Sequence, residues 1–320
     1  MNLQTIKENL SNVIKETNFS NLGERKVGKV RDIYIAPDKV TLVATDRHSS
    51  FDRIIAHIPF KGAVLNRISA FWFDQTKDII PNHVQSVPDP NVLVAKKCSV
   101  IPIECVVRGY ITGVTGTSLW THYQNGQRNF GNFTLPEGMK KNQKLPEPVF
   151  TPTTKSDEHD RPITPAEIVA EGILSQEMTD KLEQTAKAIF KRGQEIAMSK
   201  GLILVDTKYE FGLDENGNLT LIDEVHTPDS SRYWKADTYQ ERFDNGEEPE
   251  YFDKEFLRLW FKDNCDPYND PVLPEAPAEL VAELSRRYIE IYETITGKTF
   301  EYDLETPALE RMQKNIIGEA

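Results

Sequence analysis

The segment from Leu202 to Gly212 constrains the fold more strongly than any other part of the sequence. It reads Leu-Ile-Leu-Val-Asp-Thr-Lys-Tyr-Glu-Phe-Gly, and its four leading apolar residues predict a buried strand. Because side chains alternate between the two faces of a strand, Asp206, Lys208 and Glu210 share one face. On an edge hairpin such a row would be an ordinary solvated face, whereas on a buried strand it predicts a functional site. The apolar lead-in favours burial.

A hairpin follows this strand, because Asn216–Gly217 is a strong signal for a tight turn. A two-residue loop at that dipeptide would set Glu210 opposite Asp223, and a four-residue loop over 214–217 would set Lys208 opposite Asp223. In both registers Asp223 lies on the charged face of the first strand. Opposed carboxylates repel each other by about 0.2–1 kcal/mol unless a cation lies between them. Such ligands suit Mg²⁺, which takes one or two carboxylates together with substrate phosphates.

An anionic ligand would need a local concentration of basic residues, because the chain carries 50 acidic against 38 basic residues and a net charge of −12. The stretch from Gly28 to Arg31 places Lys29 and Arg31 on one face of a predicted strand, 25–36, which pairs with 40–45. Gly28 would let the backbone approach a ligand closely, which suits a polyphosphate. Two cations on an exposed strand are also common without any function. No Gly-Lys-Ser/Thr opens a helix, so the stretch is not a P-loop.

Two further stretches offer hydrogen-bond donors beside an arginine. Residues 108–113 begin with Arg108, follow an apolar strand and continue into hydroxyl residues that include Ser118. Residues 227–232 follow the acidic hairpin and end with Arg232. The first stretch predicts a phosphate site of N–H groups and hydroxyls beside a fixed arginine, and a flexible turn is the plain alternative. The second stretch supplies hydroxyls and a guanidinium at the same end of the cleft.

The composition argues against several classes of function. An acidic surface repels nucleic acid, so we expect no nucleic-acid partner. No segment approaches the roughly 20 apolar residues that span a bilayer, and residues 1–20 lack the apolar core of a secretion signal. We therefore expect no membrane partner. The 3 cysteines form neither a disulfide framework nor a zinc pattern, which fits a cytoplasmic protein. There is no Gly-x-Ser-x-Gly elbow, and the 6 histidines lack metal-ligand spacing.

The periodicity of the sequence predicts an α+β fold. Residues 176–200 read as a helix with one apolar face, and Gly201 ends it. Strand patterns dominate the first half of the chain, and helical stripes dominate its C-terminal part. We expect an N-terminal antiparallel sheet domain, residues 1–108, packed on a C-terminal sheet-plus-helix domain, residues 109–320, with the active site in the cleft between them.

Several motifs stand in a fixed order along the chain. The first, 101–113, reads Ile-Pro-Ile-Glu-Cys-Val-Val-Arg-Gly-Tyr-Ile-Thr-Gly, and the second, 205–212, reads Val-Asp-Thr-Lys-Tyr-Glu-Phe-Gly. The further matches are 28–34, 44–47 with 51–52, 148–155 and 223–232. A single motif can arise by chance, whereas an ordered set is specific. Together these motifs resemble the SAICAR synthetase family, and the chain length resembles that of its longer, eukaryotic-style members.

The resemblance implies an ATP-dependent ligase of purine biosynthesis. Its substrates are ATP, the carboxylated aminoimidazole ribonucleotide (CAIR) and L-aspartate, and its products are SAICAR, ADP and phosphate. The CAIR carboxylate attacks the γ-phosphate to give an acyl phosphate, from which the aspartate amine displaces phosphate. Because phosphorylation turns a poor acyl donor into a good one, the protein has mainly to position the reactants and neutralise charge.

The resemblance also implies roles for particular residues. The residues at ATP, on its phosphates or through the backbone at adenine, are Gly28, Lys29, Arg31, Glu104 and Val106. The Mg²⁺ ligands are Glu210 and Asp223, and the residues at the reacting centre are Asp206 and Lys208. The residues at CAIR, with aspartate as an alternative ligand for the lysine, are Arg108, Ser118, Lys155, Asp229 and Arg232.

The sequence departs from the family at one point and leaves other functions open. Many members run Thr-Gly-Ser-small-Trp after the arginine, whereas residues 114–117 intervene here before Ser118. A small-molecule phosphotransferase could use the same acidic hairpin and basic strand. A third reading is a catalytically silent nucleotide-binding or scaffold protein. It is disfavoured by the joint presence of four residues: Lys29, Lys208, Glu210 and Asp223. We expect a monomer or homodimer.

Overall fold

The computed structural model of the chain describes residues 1–155, 160–252 and 255–318. Its helices are α1 (Leu3–Glu8), α2 (Lys61–Thr76), α3 (Leu119–Gln124), α4 (Pro165–Ala170), α5 (Gln176–Ser199), α6 (Ala236–Asp244), α7 (Glu255–Asn264), α8 (Ala278–Thr296) and α9 (Ala308–Ile317). Its strands are β1 (Glu24–Val27), β2 (Arg31–Ile35), β3 (Lys39–Ala44), β4 (Arg47–Ser50), β5 (Arg53–His57), β6 (Val84–Asp89), β7 (Val92–Lys96), β8 (Ser99–Ile111), β9 (Gln143–Phe150), β10 (Thr153–Thr154), β11 (Leu202–Leu213), β12 (Leu219–Ile222) and β13 (Ser231–Lys235). Within these ranges no helix has the length and apolar character needed to cross a membrane. His159 lies outside the described residues.

Contacts between residues divide the chain into two compact units. The first contains Met1–Asp74, His83–Lys97 and Phe252–Ala320, and the second contains Gln75–Asn82 and Cys98–Tyr251. The whole of β8 therefore belongs to the second unit, and the chain after it returns to the first. The division into domains at residue 108 remains a prediction, and these contacts group the residues around it differently.

The first unit is built on an antiparallel sheet in the order β1–β2–β3–β7–β6. The expected pairing with 40–45 is present, since β2 pairs with β3 from Arg31 opposite Ala44 to Ile35 opposite Val40. A core cluster joins the sheet to the last helix, and its buried members are Ile14, Phe19, Tyr34, Val43, Val92 and Met312. Together with the sheet of the second unit, this confirms the α+β fold.

The strand predicted over 25–36 is in fact two strands, β1 and β2, joined by a turn at 28–30. The turn closes where the Gly28 N–H donates to the Arg31 carbonyl oxygen at 2.8 Å. Gly28 permits this approach, because a Cβ there would lie 3.1 Å from that oxygen. Lys29 therefore lies in a turn and Arg31 begins the next strand, so the expectation that both share one strand face was wrong.

The Arg47 side chain, at the start of β4, holds this turn by hydrogen bonds to the carbonyl oxygens of the turn. Its buried guanidinium donates to the carbonyls of Gly28 and Lys29, at 3.0 and 3.3 Å, and pairs with the buried Asp32 carboxylate at 2.8 Å. Burial alone would raise the pKa of Asp32, but hydrogen bonds from Thr17 and the Arg47 guanidinium bring that pKa below its ordinary value. Asp32 is therefore ionised at neutral pH. Its carboxylate holds the Arg47 guanidinium in place, and that guanidinium supports the turn.

The second unit is built on an antiparallel sheet in the order β10–β8–β11–β12, in which β13 also pairs with β11 and β9 with β8. Helix α5 covers one face of β8 and β11. The helix matches its prediction, because its apolar stripe is buried and Gly201 follows its end with a φ of 74°. The structure adds that Ser175 caps its start. Because α5 shields one face, the charged residues of β11 lie on the other.

The hairpin between β11 and β12 has a register that the sequence did not predict. Glu210 lies opposite Ile222, and Leu213 lies opposite Leu219, so that neither of the two expected pairings of Asp223 forms. The loop is longer than Asn216–Gly217 suggests, because the Asp214 carboxylate accepts the N–H groups of Asn216 and Asn218 at 2.9 and 2.8 Å. Side-chain capping by Asp214 replaces the two-residue turn.

We expect Arg47→Met to lower the free energy of unfolding by about 3 kcal/mol, because it weakens the pairing of a buried carboxylate and removes the donor of three carbonyl oxygens. The matched control is Arg286→Met, since that guanidinium is 40% exposed and pairs with Glu283 and Glu290 on its own helix. Its loss should stay below about 1 kcal/mol. Urea unfolding followed by circular dichroism measures both, and equal losses would contradict the buried role of Arg47.

Candidate active site

The predicted residues of the second unit gather on one face of β8 and β11. These strands are antiparallel neighbours, with Asp206 opposite Arg108 and Glu210 opposite Glu104. Their alternate side chains, Cys105, Tyr209 and Phe211 among them, are fully buried on the other face. The residues that share the first face are Glu104, Val106, Arg108, Asp206, Lys208 and Glu210.

Asp206 lies between two arginines, because its partners across the two strand pairs are Arg108 of β8 and Arg232 of β13. The Arg232 guanidinium contacts the Asp206 carboxylate at 2.6 and 2.9 Å, and Arg108 approaches it to 3.5 Å. Arg108 Nε also donates to Thr151 Oγ1 at 2.9 Å. Two guanidiniums that share one carboxylate leave an excess of positive charge, which is what a phosphate requires in an acidic chain.

Two residues further along β11 the charge pattern is reversed. The Lys208 ammonium lies 2.5 Å from Glu210, 3.0 Å from Glu104 and 3.8 Å from Asp223. We call these three carboxylates the acidic group. Burial by itself would lower the pKa of Lys208, but Asp223, Glu210 and Glu104 raise that pKa above its ordinary value. Lys208 is therefore a fixed cation at neutral pH rather than a general acid or base.

Glu104 belongs to the acidic group, whereas we had expected the 104–106 backbone to meet adenine. That backbone is paired on both sides, with β11 on one edge and with Thr151 and Thr153 on the other. The contact of this backbone with adenine remains a prediction. The alternation of β8 could have revealed the Glu104 side chain, because Glu104 and Arg108 stand at even spacing on one face.

Asp223 reaches the acidic group from beyond the end of β12. It is the first residue after the strand and has a φ of 68°, a left-handed conformation that is uncommon for a non-glycine residue. This turn of the backbone brings its carboxylate near Lys208, although the strand register by itself would not. The predicted neighbours are thus brought together by a backbone geometry different from the predicted one.

Lys155 is a second cation beside the acidic group and forms an ion pair with Glu210. It directly follows β10, which pairs with β8 through Thr153 opposite Glu104. The Thr153 hydroxyl donates to the Glu104 carboxylate at 3.2 Å. The threonine-rich stretch therefore places Lys155 at the carboxylates rather than at the arginines.

Ser118 lies close to the arginines, but its hydroxyl forms hydrogen bonds with residues near it in the sequence. It caps α3, and its Oγ lies 2.9 Å from the Thr115 carbonyl and 2.7 Å from the Thr121 hydroxyl. Gly113, with a φ of 103°, joins it to the site, because a Cβ there would lie 2.4 Å from Ser118 Cβ and 3.4 Å from Arg232 Nη1. The inserted residues therefore leave Ser118 beside Gly113 and Arg232.

Asp229 lies in the connection between β12 and β13. Its N–H and that of Ser230 donate to the Thr227 hydroxyl at 3.3 Å. This turn leads directly into β13 and Arg232. Sequence adjacency thus places Asp229 near Arg232, three residues before it in the chain.

A cavity of about 440 Å³ opens beside this face of the second unit. Its walls include Glu104, Val106, Arg108, His122 and Asn132. Metabolite-sized ligands occupy cavities of this scale. The first unit contains a larger cavity, about 760 Å³. Two of the charged groups described above, Glu104 and Arg108, line the smaller cavity, and we assign the site there.

Gly28, Lys29 and Arg31 lie together in the first unit, around the turn that Arg47 holds. The Lys29 ammonium is 65% exposed and pairs with the exposed Asp52 carboxylate at 2.6 Å. Exposed pairs of this kind contribute little free energy. An anion can therefore replace Asp52 as the partner of Lys29 at small cost.

Mg²⁺ fits the acidic group by the chemistry of its donors. Among the residues that the structure describes, no three or more His, Cys, Asp or Glu side chains form a ready metal cage. Glu210 and Asp223 are hard oxygen donors that both approach one ammonium, so a cation can be shared by both. That pattern suits an ion that takes one or two carboxylates and completes its shell with phosphate and water.

Comparison with known proteins gives the same family throughout. The sequence profile described as SAICAR synthetase matches residues 24–274. The phosphoribosylaminoimidazole-succinocarboxamide synthase of Legionella pneumophila is 58% identical over 92% of this chain and 95% of its own length. The SAICAR synthase of Saccharomyces cerevisiae, solved in complex with SAICAR, has a TM-score of 0.77 at 32% identity over 90% of this chain and all of its own. A SAICAR synthetase solved with ADP has a TM-score of 0.65 at 29% identity over 87% of this chain.

An antiparallel α+β fold that carries an arginine pair and an acidic group on one face, with these relatives, defines an enzyme of the ligase class. More particularly, the chain belongs to the SAICAR synthetase family, which matches most of its length.

We expect Lys208→Met to lower the melting temperature in metal-free buffer by about 5 °C, because the three carboxylates would then keep only the more exposed Lys155 as a neighbouring cation. Mg²⁺ should raise the melting temperature of this variant more than that of the unsubstituted protein, since the metal supplies the missing charge. The control is Lys155→Met, which removes a more exposed cation from the same group. Thermal unfolding at increasing Mg²⁺ measures the effect, and identical Mg²⁺ shifts in all three proteins would argue against it.

Proposed function

We propose that the chain joins L-aspartate to the carboxylate of CAIR and converts ATP to ADP and phosphate, with SAICAR as the product. The observation that carries this proposal is the charge pattern on one sheet face. Asp206 lies between Arg108 and Arg232, and beside it Lys208 lies among three carboxylates. A reaction between two anions needs a cationic site for one and a metal site for the other. The SAICAR and ADP found in the solved relatives support the same ligands here.

The arginine pair binds the phosphate of CAIR in this proposal. Asp206 acts by holding the guanidiniums of Arg108 and Arg232 in a fixed arrangement, so that little side-chain freedom is lost when the phosphate binds. Asp229, which precedes Arg232 in the same connection, contacts the polar part of CAIR. Ser118 supports the backbone next to Arg232, because its own hydroxyl is engaged in capping α3.

In this proposal ATP and its metal ion are bound by two groups of residues. Gly28, Lys29 and Arg31 form a turn whose carbonyls are held by Arg47, which fixes the turn for contact with the phosphates of ATP. Glu210 and Asp223 hold Mg²⁺, which supplies charge neutralisation on the transferring phosphate when it is bound. Lys208 then remains next to the carboxylates as a further positive charge near the reacting atoms.

The reaction has two steps that the site must position. First, a carboxylate oxygen of CAIR attacks the γ-phosphorus, the bond to ADP breaks, and an acyl phosphate forms. Then the aspartate amine attacks the acyl carbon, the bond to phosphate breaks, and the proton that the nitrogen loses passes to the departing phosphate. Lys208 and Lys155 stabilise negative charge on the phosphoryl oxygens in both steps.

A small-molecule phosphotransferase is the second candidate, because the acidic group and the basic turn would serve it as well. The two functions differ in their dependence on aspartate: a phosphotransferase consumes ATP without it. The assembly of the chain, as a monomer or homodimer, remains a prediction.

We expect the purified protein, with ATP, Mg²⁺, CAIR and L-aspartate, to form SAICAR and ADP in equal amounts, measured by mass spectrometry. Glu210→Gln and Asp223→Asn should each lower the rate by about 100-fold or more, because each removes a charge from the metal site. Glu195→Gln, on the exposed side of α5, is the matched control and should keep full activity. A reaction without aspartate should give neither product.

The other outcomes of this assay separate the alternatives. Formation of ADP without SAICAR would indicate a phosphotransferase or an uncoupled ATPase. Binding of ATP without any turnover would indicate a catalytically silent relative. Full activity of both carboxylate variants would remove Glu210 and Asp223 from the metal site while leaving the overall reaction intact.

Arg232→Met should raise the KM for CAIR by about 10–100-fold and leave the KM for ATP within about twofold, because it removes charged hydrogen bonds to one substrate only. Arg128→Met is the matched control, since Arg128 lies in the same unit and pairs with Glu137 instead. Steady-state kinetics with each substrate varied in turn measures this. Equal rises for CAIR and ATP would place Arg232 elsewhere.

A further inference from the structure

A buried pair of side chains lies behind the acidic group, on the covered face of β11. Tyr209 stands between Lys208 and Glu210 in the strand, so its side chain points away from theirs. Its hydroxyl is hydrogen-bonded to Nε2 of His226, and both residues are fully buried. The reaction proposed above uses neither of them.

His226 is the middle of the connection that joins β12 to β13, residues 223–230. The connection begins with Asp223, carries Asp229 near its end and leads to Arg232. Asp223 and His226 have φ angles of 68° and 49°, in the left-handed region that non-glycine residues rarely adopt. Such conformations cost free energy and persist only where the surroundings hold them. The connection therefore needs an anchor.

Contacts from three elements anchor His226. Tyr233 of β13, itself 1% exposed, donates its hydroxyl to the His226 carbonyl at 2.7 Å, and Tyr209 of β11 bonds the ring. Gly193 of α5 makes room for the ring, because a Cβ there would lie 2.3 Å from His226 Cε1. Side chain and backbone of His226 are thus both fixed. Burial lowers the pKa of His226 to about 3, so the ring is neutral at neutral pH.

Local hydrogen bonds link the other residues of the connection to one another and to β11. The Thr227 hydroxyl donates to the Glu224 carboxylate at 2.5 Å, and the Ser230 N–H donates to the Thr227 carbonyl at 3.2 Å. The Lys208 N–H then donates to the Ser230 carbonyl at 3.0 Å. A shift of His226 would therefore also displace Asp223, three residues before it, and the turn that contains Asp229, three residues after it.

We propose that His226, held by Tyr209 and Tyr233, is a positioning residue that keeps Asp223 at the acidic group and Asp229 beside the arginine pair. The inference rests on the proposed roles of Asp223 and Asp229. His226 itself touches no ligand. It acts from the buried side of the sheet, so its contribution appears in metal binding and in the order of the connection.

The test compares Tyr209→Phe and Tyr233→Phe with Tyr239→Phe. The control is matched, because Tyr239 lies in the same unit and donates its hydroxyl to the Asn142 carbonyl at 2.8 Å, a bond like that of Tyr233. Binding of Mn²⁺ in the presence of ADP is measured by electron paramagnetic resonance. Hydrogen exchange of peptides that cover 223–230 is measured by mass spectrometry, and melting temperatures are recorded for all variants.

We expect Tyr209→Phe and Tyr233→Phe to weaken Mn²⁺ binding by about 3–10-fold, because each removes one buried hydrogen bond from the anchor. They should also speed hydrogen exchange in 223–230 and raise the KM for CAIR. Tyr239→Phe should change none of these, even where its melting temperature falls as much as theirs. This separates positioning from a general loss of stability.

Asp223→Asn separates a failure of the proposed metal site from a failure of the positioning role of His226. If it weakens Mn²⁺ binding while both tyrosine variants bind like the control, the positioning role of His226 is wrong and the metal site stands. If Asp223→Asn itself binds Mn²⁺ normally, the proposed metal site is wrong, and the positioning role falls with it.

Discussion

The antiparallel pairing of β8 with β11 is the constraint on which the second unit depends. Its register sets Asp206 opposite Arg108, which is favourable, and Glu210 opposite Glu104, which is not. Lys208 offsets the second pairing, because its ammonium lies between the two carboxylates in space. The sheet therefore contains a destabilising pair of carboxylates and, next to it, the lysine that offsets their repulsion. Such local conflicts are typical of sites that bind charged ligands.

Features set by local periodicity could be predicted from the sequence. The span of α5, its cap and its end follow from an apolar stripe, Ser175 and Gly201, all within one segment. The two faces of β11 follow from alternation alone, and so does the grouping of Asp206, Lys208 and Glu210. These residues needed no knowledge of distant strands, because the period of a strand is fixed by its own backbone.

Features set by distant partners could not be predicted in this way. The turn at Gly28 depends on Arg47, which lies 19 residues away and donates to its carbonyl. The hairpin register depends on the capping of its loop by Asp214, where the Asn-Gly signal pointed to a shorter loop. β9 contains prolines, so the sequence pattern does not indicate a strand there. The strand forms because it pairs with β8. For the turn and for β9 a tertiary contact outweighed the local preference. The hairpin differs, because there one local signal, the Asp214 carboxylate, outweighed another.

One consequence of β11 concerns how this protein can vary in length. The strand gives one face to the apolar core and the other to the charged residues, so a single inserted residue would exchange the two sets. Tyr209 and Phe211 would face outward, and the charges would enter the core beneath α5. An insertion of two residues would restore the faces downstream, although not the pairing with Arg108. Length changes are therefore tolerable in loops such as 114–117, whereas within β11 chain length is as strictly determined as residue identity.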